Sequence, residues 1–325
     1  MAHYLVTGAA GFIASRVCEM LMDAGHTVVG VDNLNNSYDV RVKEYRLKRL
    51  SARPNFNFKR MDISRFEEVE ELGEQAGKVD AVINLAARAG VRASVIDPWV
   101  FVETNMIGTL NLLELCCRKK INKFILASTS SLYGSQNPMP FKEDADTDRP
   151  LQPYAASKKG AEAMCYTYHY LYGIDVTVFR YFTVYGPAGR PDMVMFRFTQ
   201  WIKEGRPVTI NGDGEQSRGF TYLDDIARGT ILGLKPLGYE IINLGGHEVI
   251  KVNDLIHMLE KRLGRKAMVE YQPLHPADAL ANWANVEKAK ALLGWEPQVS
   301  INEGVDRLVE WYLRERSWVS QVLTP

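Results

Sequence analysis

The stretch Thr7-Gly8-Ala9-Ala10-Gly11-Phe12-Ile13-Ala14 follows a short apolar run, His3-Tyr-Leu-Val6, and leads into a helical pattern that lasts through Leu21. Strand, glycine-rich turn and helix, in that order, are the local setting of a dinucleotide fingerprint. Gly8 and Gly11 let the backbone turn tightly and approach a pyrophosphate, whose charge then lies on the amino end of the helix. Phe12 and Ile13 open that helix, and the third fingerprint position is Ala14, small enough for helix to pack on strand.

Working outward, a second strand, Thr27-Val-Val-Gly-Val31, ends in Asp32-Asn33. A carboxylate about 20 residues beyond the glycines can take the ribose hydroxyls of an adenosine, which favours NAD over its phosphorylated form. Residues 33–50 are rich in charge and read as a loop running into an amphipathic helix. A third strand, 55–60, is followed by Asp62-Ile63. A fourth, Ala81-Val-Ile-Asn-Leu85, is followed by Ala86-Ala87, whose small side chains let a cofactor lie close. Asp97-Pro98 suits the cap and first turn of a helix running to Lys119, with Asn105 on it as a cofactor-side residue. Further strands are expected at 121–127 and 175–180, the latter ending with a tyrosine, Tyr181, beside the cofactor. Alternating strands and helices predict an α/β protein with a Rossmann-type doubly wound parallel sheet.

After Arg180 the rhythm changes. Residues 181–193 are dense in Gly, Pro and aromatics and read as a structured loop; helices and short strands then alternate irregularly, with a turn at 211–214 and a helix over 252–263. The reading is therefore a dinucleotide-binding domain over 1–180, to which some later segments return. A smaller mixed α/β substrate lobe, mainly 181–325, closes over the cofactor.

At 325 residues, with 46% hydrophobic and 24% charged residues, the composition is that of an ordinary globular chain. Lys plus Arg equals Asp plus Glu at 39 each, so no basic field for nucleic acid exists. Cys18, Cys116, Cys117 and Cys165 lack metal-ligand spacing and read as buried free thiols of a reducing compartment. The amino terminus goes straight into a strand and no unbroken apolar run nears the length of a membrane span, so a soluble, cytoplasmic protein without a membrane partner is expected.

The polar cluster Ser128-Thr129-Ser130-Ser131-Leu132-Tyr133-Gly134 comes at the carboxyl end of the fifth strand, where doubly wound sheets bind ligands. In Tyr154-Ala-Ala-Ser-Lys158 the phenol and the ammonium are four residues apart, on one face of a helix. A lysine held there would lower the tyrosine pKa and make Tyr154 a base near neutral pH.

Taken together, TGAAGFIAS, VDN at 31–33, NLAA at 84–87, STSSLYG, YAASK, RYFTVYGP and the late ANVEKAKALLGWEP at 284–297 resemble the extended short-chain dehydrogenase/reductase family of nucleotide-sugar enzymes. The resemblance runs in register over nearly the whole chain. It implies bound NAD, a UDP-sugar substrate, and Thr129, Tyr154 and Lys158 as the catalytic trio. Family 4,6-dehydratases and decarboxylases look like Thr-Asp-Glu and Thr-Ser-Glu after the threonine; Thr129-Ser130-Ser131 carries no carboxylate and argues against both. Gly90-Val-Arg92, Gly189-Arg-Pro-Asp-Met193 and the stretch from Asp32 to Arg41 are similar to loops of UDP-glucuronate 4-epimerases. A 4-epimerase of UDP-glucose or a UDP-N-acetylhexosamine is the alternative within the fold. A protein that holds NAD without turnover is the alternative outside that activity class.

The resemblance further implies Ser130, Ser131 and Thr183 as holders of a uronate carboxylate, Arg190 and Arg218 as diphosphate ligands, and Arg92 near the phosphates. His275 and Asp278 belong to the same substrate set, and a homodimer joined through helices at about 98–118 and 154–172 is implied. Three positions depart from the family pattern: Gly219 where an aspartate is usual, His275 where many members have an arginine, and Asn285 where an aspartate is usual.

Overall fold

The computed structural model describes residues 1–246, 248–273 and 281–325. In chain order the first half runs β1 (His3–Thr7), α1 (Phe12–Asp23), β2 (Thr27–Val31), α2 (Val40–Ser51), β3 (Phe56–Lys59), α3 (Phe66–Gln75), β4 (Ala81–Asn84), α4 (Val91–Ile96), α5 (Trp99–Val102) and α6 (Gly108–Lys119). Then come β5 (Lys123–Thr129), α7 (Pro153–Tyr172), β6 (Asp175–Tyr181), β7 (Thr183–Tyr185), α8 (Val194–Glu204), β8 (Pro207–Asn211) and β9 (Ser217–Tyr222). The chain closes with α9 (Leu223–Leu232), β10 (Tyr239–Leu244), β11 (Glu248–Lys251), α10 (Val252–Leu263), β12 (Met268–Gln272), α11 (Glu287–Leu293), α12 (Ile301–Arg314) and α13 (Arg316–Val319).

Seven parallel strands form the central sheet in the order β10-β6-β5-β4-β1-β2-β3. Their sequences are near-continuous apolar runs because helices cover both faces. On one face α3, α6 and α7 pack through Leu72, Leu112, Leu115, Ala161 and Cys165; on the other α1, α9 and α11 pack through Val17, Leu21, Ile226 and Ala289, with Trp295 just beyond α11. The expected doubly wound sheet is present. Its edge strand β10 and the helices α9 and α11 come from beyond residue 181.

A second core holds Phe196, Trp201, Phe220, Leu255, Leu308, Trp311 and Tyr312 around a three-stranded sheet, β11-β9-β7, and a parallel pair, β8 and β12. Helix α2 reaches this core through Val42.

Several boundaries differ from the sequence reading. The fifth strand runs through Thr129, past the last apolar residue, because its ladder with β6 continues through Ser128–Arg180 and Thr129–Tyr181. The 181–193 stretch is not all loop: Thr183–Tyr185 pairs in parallel with β9, a β-branched and aromatic segment masked by its Gly and Pro neighbours. Pro98, not Asp97, occupies the amino cap of α5, and no side chain caps that end. From there α5 and α6 are joined by a π-helical turn, Glu103–Ile107, into one helix, Trp99–Lys119. By length and composition it is the one helix among the described residues able to cross a membrane, which the sequence reading did not single out. Half of its apolar window is buried inside the protein. All four cysteines are free, and all but Cys117 are buried.

Behind β5 lies a buried ion pair. Arg180 on β6 donates to both carboxylate oxygens of Glu162 on α7 (3.0 and 2.8 Å), and Ser128 Oγ donates to the same carboxylate at 2.5 Å. Arg180 also donates to Tyr133 Oη (3.1 Å), which in turn donates to Asn243 Oδ1 on β10 (2.6 Å). This network ties β5, β6, β10 and α7 together just below the strand ends. Removing one partner of a buried pair leaves the other charge uncompensated. Glu162→Ala should therefore lower stability by about 3–5 kcal/mol in urea unfolding; a loss below 1 kcal/mol would show that Arg180 finds solvent or another partner.

Candidate active site

Strand order reverses between β1 and β4, so their carboxyl ends diverge and open a crevice. Gly8 has φ of +69°, a conformation glycine adopts without steric penalty, and a Cβ there would sit 2.8 Å from the Ala86 nitrogen. A Cβ on Gly11 would sit 2.7 Å from the Gly8 carbonyl oxygen. Thr7 Oγ1 donates to Asn84 Oδ1 (2.7 Å) and accepts from the Ala86 amide (3.1 Å), holding the two loops at that spacing.

One long cleft runs from this cradle across the sheet. Gly8, Gly11, Phe12, Ile13, Asp32, Asn33, Asp62, Ile63, Leu85, Ala86, Ala87 and Tyr181 line it, and all of these were expected on the cofactor side. Asp32 is held at the end of β2 by amides of Ala10 (3.2 Å) and Leu34 (2.8 Å). Asp62 accepts from Asn33 Nδ2 (2.7 Å) and Ser64, and these bonds hold its carboxyl below the usual range although burial opposes them. The glycine cradle with a carboxylate at the neighbouring strand end fits the pyrophosphate and ribose of a dinucleotide.

Thr129, Ser130, Ser131, Tyr154, Lys158, Thr183 and Arg190 line the other end of the same cleft. Strand β5 delivers Thr129 and α7 delivers Tyr154 and Lys158, the two elements being locked by the Glu162 network. Burial raises the Tyr154 pKa, while a hydrogen bond with Thr129 and the charge of Arg190 favour the phenolate. Lys158 Nζ donates to the Ala127 carbonyl at 2.8 Å, one turn along α7 from Tyr154. Burial brings Lys158 itself down to about 8, with Cys165 and Glu162 pulling the other way.

Arg190 is paired with Asp192 (3.1 and 2.6 Å) and donates to the Ala89 carbonyl (3.3 Å). Its guanidinium lies close enough to Tyr154 for each to act on the other's charge.

Other expected residues lie elsewhere. Asn105 sits behind the cleft wall: its amide donates to Arg88 O and Ser157 Oγ and its oxygen accepts the Arg88 amide, so it braces α7 against the loop after β4. Arg92 is exposed on α4, near enough to Arg197 to lower that arginine's pKa, although burial is the larger cause. Arg218 is on β9, where Nη1 donates to Ser217 O (2.8 Å). His275 and Asp278 lie outside the described residues.

Sequence reasoning missed Tyr38, Lys43 and Asn282. Lys43 is buried with its Nζ 3.7 Å from Asp32, and Asn282 Nδ2 donates to Ser130 Oγ at 3.1 Å. Lys43 had a signal in its place on the helix after Asp32, but its burial was hidden by the charge around it. Asn282 had none. Two of the departures have physical reasons. A Cβ at Gly219 would come 2.3 Å from Gly246 O, so the 245–246 turn packs where a larger residue would stand. Asn285 Oδ1 accepts the Glu287 amide (2.9 Å) at the start of α11, a capping bond an aspartate would also make.

A dinucleotide cradle continuous with a Thr-Tyr-Lys group is the geometry of transient oxidation at a carbinol carbon. Residues 4–245 match the model of the NAD dependent epimerase/dehydratase family. The chain belongs to that family. It is 57% identical over 312 residues to the UDP-glucuronate 4-epimerase of Thermodesulfobacterium geofontis, covering 96% of each chain. Among solved family structures it is similar to the UDP-glucuronic acid 4-epimerase of Bacillus cereus in complex with UDP-glucuronic acid and NAD, with TM-score 0.90, 37% identity, and coverage of 96% of this chain and 99% of that one. It is also similar to the UDP-glucose 4-epimerase of Thermotoga maritima with UDP-glucose, with TM-score 0.89, 34% identity, and coverage of 96% and 99%.

The Lys158 shift has a consequence for stability. An unfolded lysine titrates near 10.5, so below about pH 8 the fold carries a buried ammonium at a cost. Between about 8 and 10.5 the unfolded chain binds a proton that the folded chain does not, and stability rises with pH. Lys158→Met should therefore stabilise the protein by about 1–3 kcal/mol at pH 7, the gain shrinking toward pH 10.5. Unfolding curves at both pH values check this; no gain at pH 7 would mean the ammonium is well solvated.

Proposed function

We propose that this protein is an NAD-dependent 4-epimerase converting UDP-glucuronate and UDP-galacturonate into one another. The observation that carries the uronate is that Arg190 lines the same cleft as Tyr154 and the hydroxyls of Ser130, Ser131 and Thr183, with its charge felt at the phenol. Its Nη1 makes no hydrogen bond among the described residues. This favours a carboxylate role for Arg190 over the diphosphate role expected from sequence, because a guanidinium sharing the cleft with the Tyr154 phenol and three hydroxyls suits a sugar carboxylate. The Thermodesulfobacterium geofontis and Bacillus cereus proteins named above support the same substrate.

Gly8 and Gly11 would admit the NAD pyrophosphate, Asp32 the adenosine ribose, and Tyr154 and Lys158 the nicotinamide ribose. Bound NAD supplies a reversible hydride acceptor at the sugar's carbon 4. Tyr154 as phenolate takes the proton of the 4-hydroxyl, and Thr129 donates to the same oxygen as charge develops there. The keto sugar then presents its other face, takes the hydride back, and Tyr154 returns the proton, so atoms and electrons balance over the cycle. For a uronate the 4-keto intermediate is a β-keto acid. Its carboxylate is lost when the breaking bond lines up with the carbonyl π-system. Ser130, Ser131, Thr183 and Arg190 hold the carboxylate near the sugar's mean plane, away from that alignment.

The protein also assembles as a homodimer through α4–α6 and α7. Ile96 (86% exposed), Trp99 (75%) and Tyr170 (76%) are exposed large apolar residues on these helices, as are Val95, Tyr166 and Tyr172.

Purified protein without added cofactor should convert UDP-glucuronate to UDP-galacturonate by NMR with little pentose and little turnover of UDP-glucose. Tyr154→Phe should lower that rate about 100- to 10,000-fold. Galactose products alone, or pentose as the main product, would overturn the uronate reading. Trp99→Asp with Tyr170→Asp should sediment as a monomer; an unchanged sedimentation coefficient would refute the interface.

A further inference from the structure

Arg46 of α2 is 3% exposed, yet no carboxylate among the described residues pairs with it. All five of its N–H donors are used on neutral oxygens. Nε and Nη2 both donate to the Ala188 carbonyl (2.9 and 2.6 Å), and Nη2 also donates to Gly189 O (3.1 Å). Nη1 donates to Ala10 O (3.1 Å) and to Tyr38 Oη (2.8 Å). The guanidinium also stands over the rings of Phe12 (5.6 Å) and Tyr38 (5.7 Å).

These contacts join three segments remote in sequence: the glycine fingerprint, the loop after β2, and the segment leading into Arg190. The third is strained, since Ala188 has φ of +53°, a left-handed conformation rarely held by alanine unless its surroundings impose it. A two-pronged grip on the Ala188 carbonyl is such an imposition, and Arg190 follows two residues later. A buried cation without a counter-ion is a costly way to fill space, and an apolar residue would pack there at less cost. The forked geometry is what an arginine supplies and a lysine does not.

We propose that Arg46 is a positioning residue that locks the cofactor cradle to the 186–190 segment and thereby sets Arg190 in the cleft that Tyr154 also lines. Arg46 is not among the residues that line the cleft. Its effect on uronate turnover is exerted through Arg190 and rests on the function proposed above. Its effect on the backbone does not depend on that function.

The test is a double-mutant cycle on the full-length enzyme with Arg46→Met and Arg190→Leu, with Arg46→Lys as the gentler variant if the methionine enzyme fails to fold. The single Arg46 variant should lose about 100-fold in kcat/KM for UDP-glucuronate and release more pentose per turnover. In the Arg190→Leu background the same change should cost little more, because the two act through one element. Additive losses, or an unchanged pentose ratio, would reduce Arg46 to a structural residue and overturn the proposal. Two readouts are independent of activity: amides in 186–190 should exchange hydrogen faster in either Arg46 variant, and NAD titrated into the protein should bind more weakly. Unchanged exchange in 186–190 also overturns it. An inactive wild type with faster exchange in the variants would sink the functional reading and leave the lock standing.

Discussion

Everything in this molecule depends on how closely two diverging strands are held at their carboxyl ends. The Thr7 hydroxyl bridges β1 and β4, bonded to the Asn84 side chain and the Ala86 amide, and Gly8 passes Ala86 with no room for a side chain. Loosening that approach would part the cradle from the wall of small residues facing it. Tightening it is impossible, because the backbones already touch. The parallel sheet makes the crevice, since strand order reverses there, and the helices on both faces make the sheet rigid enough to hold it.

The catalytic end is built by a different device. The buried Glu162–Arg180 pair, Ser128, Tyr133 and Asn243 bind three adjacent strands to α7 beneath Thr129, Tyr154 and Lys158. Buried charge is a poor source of net stability, but it fixes register and rotation between elements. Lys158 shows the other face of burial. Its ammonium is held in an apolar site on the Ala127 carbonyl at a cost to the fold, the kind of local penalty that functional sites carry.

The substrate end joins both halves of the chain. Helix α2, part of the first domain by sequence, packs on the second core and carries Lys43 toward Asp32 and Arg46 toward the 186–190 segment. Strand β10 and helices α9 and α11 go the other way, from the late chain to the central sheet. The cleft is therefore lined by residues from both, Tyr154 from the first and Arg190 from the second.

By itself the sequence determined the fold class, the glycine turn, Asp32 at a strand's end, Thr129 at another, and Tyr154 and Lys158 on one helix. Local rules suffice for these: apolar runs mark buried strands, positive φ demands glycine, and four residues make one helical face. Only the tertiary structure decided the partners of long, charged side chains. Arg190, which sits among glycines and prolines in sequence, is paired with Asp192 and bonded to the Ala89 carbonyl. Asn105 turned out to brace the wall from behind, and Lys158 to bond the Ala127 carbonyl. Asn282 and Arg46 had no local signature at all. A guanidinium extends several ångströms from its backbone and chooses among oxygens brought together by the chain's return from distant segments, so its role is set by the packing and not by its neighbours in sequence.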